Sequence, residues 1–455
     1  MKKTFLSLVI GLGMTTTALA DDLLQVYQQA MASDPLVNRA KAQRDAAFEG
    51  ISISRASLLP QISGTVGYTM ASRESTQFTG DENNLAIITI DTDVDTMNYG
   101  LNMQMSLYDH ANWVGLDRAE KVAEQSDAQY AASMQDLIVR VVTAYFDVLR
   151  ARDNVTFVQA EKRAIERQLE QTKQRFEVGL TAITDVHEAQ ANFDNTVAQE
   201  IQAKNQLESA LEAMRVITGK YHDKLYGLDT DSFSATQPTP ANVENWLEIA
   251  QDKNLSLLVD RLAMDIAKED ISAARAGHLP SLDLNANATR SKDDISSDRL
   301  EYETPYLDSM SIGLQLNVPI FNGFRVSSQA DQARYNYVAA SQTAEQTYRQ
   351  TVQSVRSSYN DVRAAISTIR ALEQAVVSAQ SALKATEAGF DVGTRTIVDV
   401  LNSTRNLFDA RRNLSGARYD FIQSVVSLKQ AAGSLTGEDV AQINKGLEPP
   451  EVVTQ

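Results

Sequence analysis

Hydrophobic residues recur with two different periods along the chain, and the longer period predicts two unusually long helices. Between about residues 111 and 178, and again between about 324 and 392, apolar side chains recur every three or four residues and proline is absent. This spacing is typical of α-helix, and at about 1.5 Å per residue each run would be about 100 Å long. Helices in globular domains are far shorter. We therefore expect a coiled coil, a helical barrel or a filament.

The second period is the alternation of apolar and polar residues, which predicts strands. In one of them Leu101, Met103 and Met105 alternate with polar neighbours. The four predicted strands cover about 60–70, 99–108, 280–289 and 310–321. About ten residues suit a tilted membrane-spanning strand that is apolar toward lipid and polar toward a lumen. An antiparallel sheet on a soluble core is the alternative. The polar stretches that begin at Ala71 and Arg290 are predicted to be extracellular loops.

Membrane insertion would also require more than one chain. Four strands are too few to close a barrel, and the edge of an open sheet cannot face hydrocarbon because its N–H and C=O groups would lack partners. Closure must then occur between identical chains. The sequence therefore predicts a homo-oligomer if the strands lie in a membrane.

Shorter helices complete each half of the chain. They are predicted at about 22–57 and 185–218 in the first half, and at about 242–277 and 398–432 in the second. Two such helices end to end would match the length of one long helix. The remaining segments, 219–241 and 433–455, are rich in Gly, Pro and Thr. We expect them to form a girdle where the short helices meet.

The two halves are copies of each other. The stretch "RFEVGLTAITDV", residues 175–186, returns as "GFDVGTRTIVDV", residues 389–400, which is 214 positions later, and "RASLLP" returns as "RAGHLP" 220 positions later. A period this long indicates duplication of half a protein, because solenoid units have only about 20–50 residues. The predicted repeats are 21–240 and 241–455.

The repeated stretch is predicted to turn the chain back on itself. Gly179 and Gly393 follow the long helices, where a C-cap glycine is expected. Thr184 or Asp185 in the first half, and Asp399 in the second, can cap or charge the start of the returning helix.

The composition limits the cellular locations and the classes of binding partner that the protein can have. A basic start, an apolar run and the sequence Ala18-Leu19-Ala20 predict a signal peptide over residues 1–20. The net charge is −17 at pH 7, which argues against nucleic acid as a partner. The chain has no cysteine, so disulfides and thiolate metal sites are excluded. No segment resembles a transmembrane helix.

Recognisable catalytic or cofactor chemistry is missing from the sequence. The four histidines, His110, His187, His222 and His278, lie far apart without metal-ligand spacing. Phosphate-binding loops and nucleophile motifs are also absent. We therefore expect neither an enzyme nor a cofactor.

Several stretches resemble the outer-membrane efflux protein family, the trimeric exit ducts of Gram-negative bacteria. They include "LLQVYQQA", "LLPQ", "AITDV", "GHLP" and "VGTRTIVDVL", and they are spread over nearly the whole chain. The resemblance implies a homotrimer in outer-membrane lipid, with a 12-stranded β-barrel and a periplasmic tunnel of twelve helices. It also implies partners: a periplasmic adaptor protein and an inner-membrane efflux pump or ABC exporter, as in multidrug resistance and type I secretion.

Two other interpretations share some of these features. A trimeric coiled-coil surface adhesin or scaffold would have similar helices but would not need four interleaved strands. A periplasmic adaptor also has long hairpins but would lack strands that face lipid.

The resemblance further implies a closed aperture at the two turns. In the family, a Thr-Asp pair of the first turn contacts an arginine of the second, which here are Thr184, Asp185 and Arg395. A gate position that is usually tyrosine is Phe390, so it has no hydroxyl to offer Asp185.

The resemblance also implies a ring of two aspartates per chain at the constriction. Its positions are Asp399 and Asn402 in this chain. We expect three carboxylates per trimer instead of six, and weaker cation attraction and block.

Overall fold

The computed structural model describes residues 20–80, 86–297 and 300–449. All of the predicted signal peptide except Ala20 lies outside these residues. The chain forms two compact units. The first comprises the described parts of 1–41, 129–257 and 347–455, and the second comprises the described parts of 42–128 and 258–346.

Helices dominate the described residues. In chain order they are α1 (Leu23–Ser33), α2 (Pro35–Ala56), α3 (His110–Glu177), α4 (Ile183–Thr218), α5 (Val243–Lys253), α6 (Leu255–Ala276), α7 (Arg325–Asp391), α8 (Ile397–Ala431) and α9 (Gly437–Asn444). The long helices α3 and α7 have 68 and 67 residues. Within the described ranges, no helix combines the length and the apolar character that crossing a membrane requires.

The predicted short helices 22–57 and 242–277 are each two helices, because a polar residue caps a new helix inside the run. The backbone N–H of Asp34 closes α1 on the carbonyl of Ala30, and its carboxylate then accepts a hydrogen bond from the N–H of Val37 at the start of α2. Asn254, which lies 220 residues later, plays the same part between α5 and α6. A side chain that caps competes with a continuous helix.

The second unit contains a sheet of long antiparallel strands. They are β1 (Gln61–Thr79), β2 (Ala86–Tyr108), β4 (Ser281–Ser297), β5 (Glu301–Glu303) and β6 (Leu307–Asn317); a separate pair in the first unit is β3 (Gly227–Leu228) with β7 (Leu447–Glu448). The order across the sheet is β1-β2-β4-β6, and β5 pairs with the end of β4. The prediction of loops beginning at Ala71 and Arg290 was wrong, since both residues continue strands.

One face of this sheet is apolar and exposed. Cross-strand neighbours on it include Leu101, Ala288 and Met310, which are aligned by the register of β2, β4 and β6. Its exposed members include Ile62, Val66, Tyr68, Leu101, Met310, Ile312, Leu314 and Leu316. Further along the strands the same face becomes charged, beginning with the ion pair of Arg290 and Asp308. A band of apolar side chains bordered by charge is typical of a lipid-facing sheet.

The first unit has a continuous apolar core of its own. Tyr145 and Phe146 of α3 are completely buried in it, and Phe146 packs on Tyr419 of α8. Residues of α1, α4, α5, α7 and α8 and the β3–β7 pair join the same core. The two segments predicted to form a girdle contain short regular elements: β3 lies in 219–241, and α9 and β7 lie in 433–455.

Candidate functional site: the two hairpin turns

Both repeated turns close in the same way, after α3 and after α7. Gly179 and Gly393 adopt φ values of +78° and +80°, which glycine tolerates without strain. The N–H of Gly179 donates to the carbonyl of Phe176, and the N–H of Gly393 donates to the carbonyl of Phe390. Each helix end is thereby closed by backbone hydrogen bonds of the kind common at glycine C-caps.

The returning helices begin differently. Thr396 caps α8 in a reciprocal capping box: its hydroxyl accepts from the N–H of Asp399, and the Asp399 carboxylate accepts from the N–H of Thr396 at 3.0 Å. The equivalent residue before α4 is Ala182, whose side chain cannot cap. The Asp185 carboxylate accepts instead from the Thr181 hydroxyl.

The cap suggested for Thr184 is therefore not formed. Thr184 is the second residue of α4 and is exposed. An N-cap must lie outside the helix, where its side chain can reach the first free N–H groups.

A small apolar cluster lies next to the turns, which we call the tip cluster. Its buried members are Ile165, Leu169, Ala189, Ile397, Val400 and Leu401. They come from α3, α4 and α8, and Leu383 and Phe390 of α7 pack against them. The tip cluster therefore joins the two hairpins of one chain near their ends.

Phe390 has a specific partner that the sequence did not predict. The Arg175 guanidinium lies over its ring, 4.6 Å from the centroid. A cation–π contact of this kind contributes about 0.5–1 kcal/mol at partly exposed sites. Phe390 has no hydroxyl, but through Arg175 it connects the second turn to the first.

The residues predicted to lock the aperture are not joined within one chain. Thr184 and Arg395 are exposed, and Asp185 is half-buried. Among the described residues, no hydrogen bond or ion pair connects Arg395 with Thr184 or Asp185. The Arg395 stem instead lies over Gly389, where an added Cβ would be 2.8 Å from the Arg395 Cγ.

The two ring positions lie one helical turn apart on α8. Asp399 is half-buried and Asn402 is exposed. Hydrogen bonds from the backbone and hydroxyl of Thr396 lower the pKa of Asp399 below its usual value. This carboxylate is therefore ionised throughout the physiological range.

Beyond the tip cluster, polar contacts join α3 to α8. Glu161 is buried and accepts from Arg412 at 3.1 Å, and the Tyr419 hydroxyl donates to Asp153 at 2.7 Å. Burial raises the pKa of Glu161, and the nearby Arg412 opposes that rise. Sequence periodicity gives no signal for these contacts, since they join residues that are 251 and 266 positions apart.

Comparison with known proteins agrees with the duplicated architecture. The family model described as "Outer membrane efflux protein" matches residues 26–220 and 246–434. The two matched segments start 220 residues apart and end 214 apart, which are the offsets of the internal repeat. The family match therefore falls separately on each half.

Three relatives cover nearly all of the chain. Outer membrane protein TolC of Vibrio cholerae is 48% identical over 98% of both chains. Proteases secretion protein PrtF of Dickeya chrysanthemi is 28% identical over 100% of this chain and 97% of its own. The crystal structure of the Campylobacter jejuni CmeC outer membrane channel has the same fold, with a TM-score of 0.73 at 17% identity, over 94% of this chain and 90% of that one. The duplicated halves, the long helical hairpins and the full-length matches together show that this chain belongs to the outer membrane efflux protein family.

Proposed function

We propose that three copies of this chain form a gated exit duct through which inner-membrane pumps export drugs, other small molecules or proteins. A periplasmic adaptor would connect the pump to the helical hairpins. Membership of the outer membrane efflux protein family and similarity to a secretion protein support export as the function and the outer membrane as its location. Transport through such a duct needs no chemistry in this chain, so its energy would come from the pump.

The open sheet is the single observation that best supports a multichain channel. Among the residues that the structure describes, β1 and β6 each pair with one neighbour, so both edges of the sheet are unpaired there. The exposed apolar face suits lipid, but the unpaired backbone groups of the two edges cannot be left there. Pairing of β6 with β1 of the next copy would satisfy both edges, and three copies would give the 12-stranded barrel.

We assign the gate to contacts between neighbouring chains at the turns. Arg395 is exposed, and among the described residues its guanidinium forms no hydrogen bond or ion pair, although its charge helps to lower the pKa of Asp399 four residues later. Asp185, with Thr184 beside it, offers an acceptor on the other turn. An arginine–carboxylate bond in a narrow, partly desolvated aperture is stronger than the roughly 0–1 kcal/mol of a surface pair.

The ring at the aperture would carry one charge from each chain. Asp399 supplies a carboxylate and Asn402 supplies an amide. Three carboxylates attract cations less strongly than six would, because the field of the ring scales with its charge. Block of the duct by multivalent cations should therefore be weak.

Single-channel conductance of the trimer in planar bilayers tests the gate. The double variant Arg395→Ser with Asp185→Ala should conduct severalfold more than the unmutated protein, because the link between turns is lost. Arg363→Ser is the matched control, since Arg363 is an exposed arginine of α7 that lies far along the helix from the turn. Unchanged conductance of the double variant would remove the proposed gate.

A further inference from the structure

Gly389 is a glycine whose conformation does not require glycine. It lies within α7, two residues before the helix ends, and it does not share the positive φ of Gly393. In a helix, glycine is about 0.5–1 kcal/mol less favourable than alanine. The backbone conformation therefore does not explain the glycine, and the explanation must lie in a neighbouring group that occupies the space of the missing side chain.

The space beside Gly389 is filled by the turn that follows. The backbone N–H groups of Thr394 and Arg395 both donate to the Gly389 carbonyl, at 2.8 and 3.2 Å. An added Cβ would stand 2.8 Å from the Arg395 Cγ and 3.2 Å from the Thr394 Oγ1. The clash is with the base of the Arg395 side chain, which cannot move aside without a change of rotamer.

Two other glycines in the described helices do not have this environment. Around Gly115 of α3 and Gly50 of α2, an added Cβ would meet nothing within 4 Å. The crowding at Gly389 therefore comes from Arg395 and its turn and is not a general property of glycine in these helices.

In the first turn the arginine and the smaller residue exchange positions. The residues equivalent to Gly389 and Arg395, 214 positions earlier, are Arg175 and Thr181. In the first turn the arginine lies on the long helix and reaches across to Phe390, while the short Thr181 turns to Asp185. Each turn thus has one arginine and one smaller residue at these two positions, and in the second turn the smaller one leaves room for the arginine.

We propose that Gly389 is a positioning residue for the gate: because it has no Cβ, the stem of Arg395 can pack against it, and this packing fixes the position from which the guanidinium reaches a neighbouring subunit. This inference rests on the proposed function of Arg395. It adds that the closed aperture depends on a residue that carries no charge and no side chain.

The test is Gly389→Ala, assayed as single-channel conductance of the assembled trimer. Conductance should rise severalfold, toward that of Arg395→Ser, whereas the control Gly115→Ala should leave it unchanged. Because alanine favours helix, the melting temperature of the Gly389→Ala trimer should not fall below that of the Arg395→Ser trimer, which loses the same contact between subunits. A lower melting temperature would indicate a general packing defect and would overturn the inference.

A double variant shows whether Gly389 acts through Arg395. In an Arg395→Ser background, Gly389→Ala should cause no further rise, because residues that act through one contact are not additive. An additive rise would overturn the inference, as would unchanged conductance of Gly389→Ala when Arg395→Ser conducts more. If Arg395→Ser itself has no effect, the proposed gate fails as well, so the two failures are distinguishable.

Discussion

The two hairpin turns share a sequence pattern but bury different parts of it. Ile397 of the second turn is 2% exposed in the tip cluster, while its equivalent Ile183 in the first turn is 46% exposed. Val400 of the second turn is also buried in the tip cluster, while its equivalent Val186 in the first turn is only half-buried. The second turn is therefore packed within its own chain by residues that the first turn leaves more exposed.

The N-terminal caps of the returning helices α4 and α8 also differ between the two turns. The second turn has the capping box of Thr396 and Asp399, and the first has Ala182 in place of the threonine. Asp399 therefore bonds to the cap of its own helix, whereas in the described part of the chain the Asp185 carboxylate accepts a hydrogen bond from Thr181 alone. The carboxylate of the second turn is therefore fixed by its own helix, whereas that of the first turn is less constrained, as the gate proposed above requires of Asp185.

Among the variants that test the difference between the two turns, removal of the buried Ile397 side chain should change stability most. Ile397→Ala should destabilise the second turn by about 2–5 kcal/mol, because it leaves a cavity in the tip cluster. Ile183→Ala should change stability by no more than about 0.5 kcal/mol. Amide hydrogen exchange of the tip peptides measures both, and a 2 kcal/mol loss corresponds to roughly 30-fold faster exchange. Equal losses in the two variants would show that the turns are packed alike in the trimer.

Exchanging the capping residues should have a smaller effect, of opposite sign in the two turns. Thr396→Ala should cost about 1 kcal/mol at the start of α8. Ala182→Thr should stabilise the start of α4 by a similar amount, because Asp185 already occupies the third helical position that a capping box requires. Hydrogen exchange in the first turn of each helix measures both changes.

The control for this exchange is Ala182→Thr combined with Asp185→Ala. Without the carboxylate, only the threonine half of the box can form, so the gain should be reduced. A full gain in the double variant would contradict the proposed role of Asp185 at the helix start.

Much of the fold could be predicted because the helices and strands follow long, regular patterns of apolar residues and the two halves repeat each other. The family, the duplicated helix-and-strand fold and the outer-membrane location are confirmed by the family match and the relatives. The surface-adhesin and adaptor interpretations find no support in the same matches. The long helices end within one residue of the predicted ends, since a glycine follows each of them.

The errors occurred where the periodicity gave no signal. Beyond Met70 and Arg290 both faces of the strands carry polar residues, so the alternation disappears although the pairing continues. At Asp34 and Asn254 the composition still favours helix, and only the capping side chain marks the break. The Pro35 that follows Asp34 was the available signal, because proline is favoured at the first position of a helix.

The candidate site was accessible to sequence reasoning only in part. The turns were visible as a repeat, but the stacking of Arg175 on Phe390 and the seat of Arg395 on Gly389 are side-chain contacts that periodicity does not encode. The lock that Thr184, Asp185 and Arg395 would form stays a prediction, since it requires a neighbouring chain.

The smallest effect we expect is the response of the second turn to pH. Hydrogen bonds from Thr396 lower the pKa of Asp399, so the folded state prefers the ionised carboxylate. The stability from this preference is complete above the unfolded pKa of about 3.9 and is lost only as pH falls through the lower folded value. Hydrogen exchange at the start of α8, corrected for intrinsic rates, should therefore be constant from about pH 7 to pH 5 and should accelerate only below about pH 4. Asp399→Asn should exchange faster at pH 7 and lack the acceleration at low pH, because an amide does not titrate. A transition between pH 5 and 7 in the unmutated protein would mean that another group controls this turn, and that Asp399 is not held by its capping box.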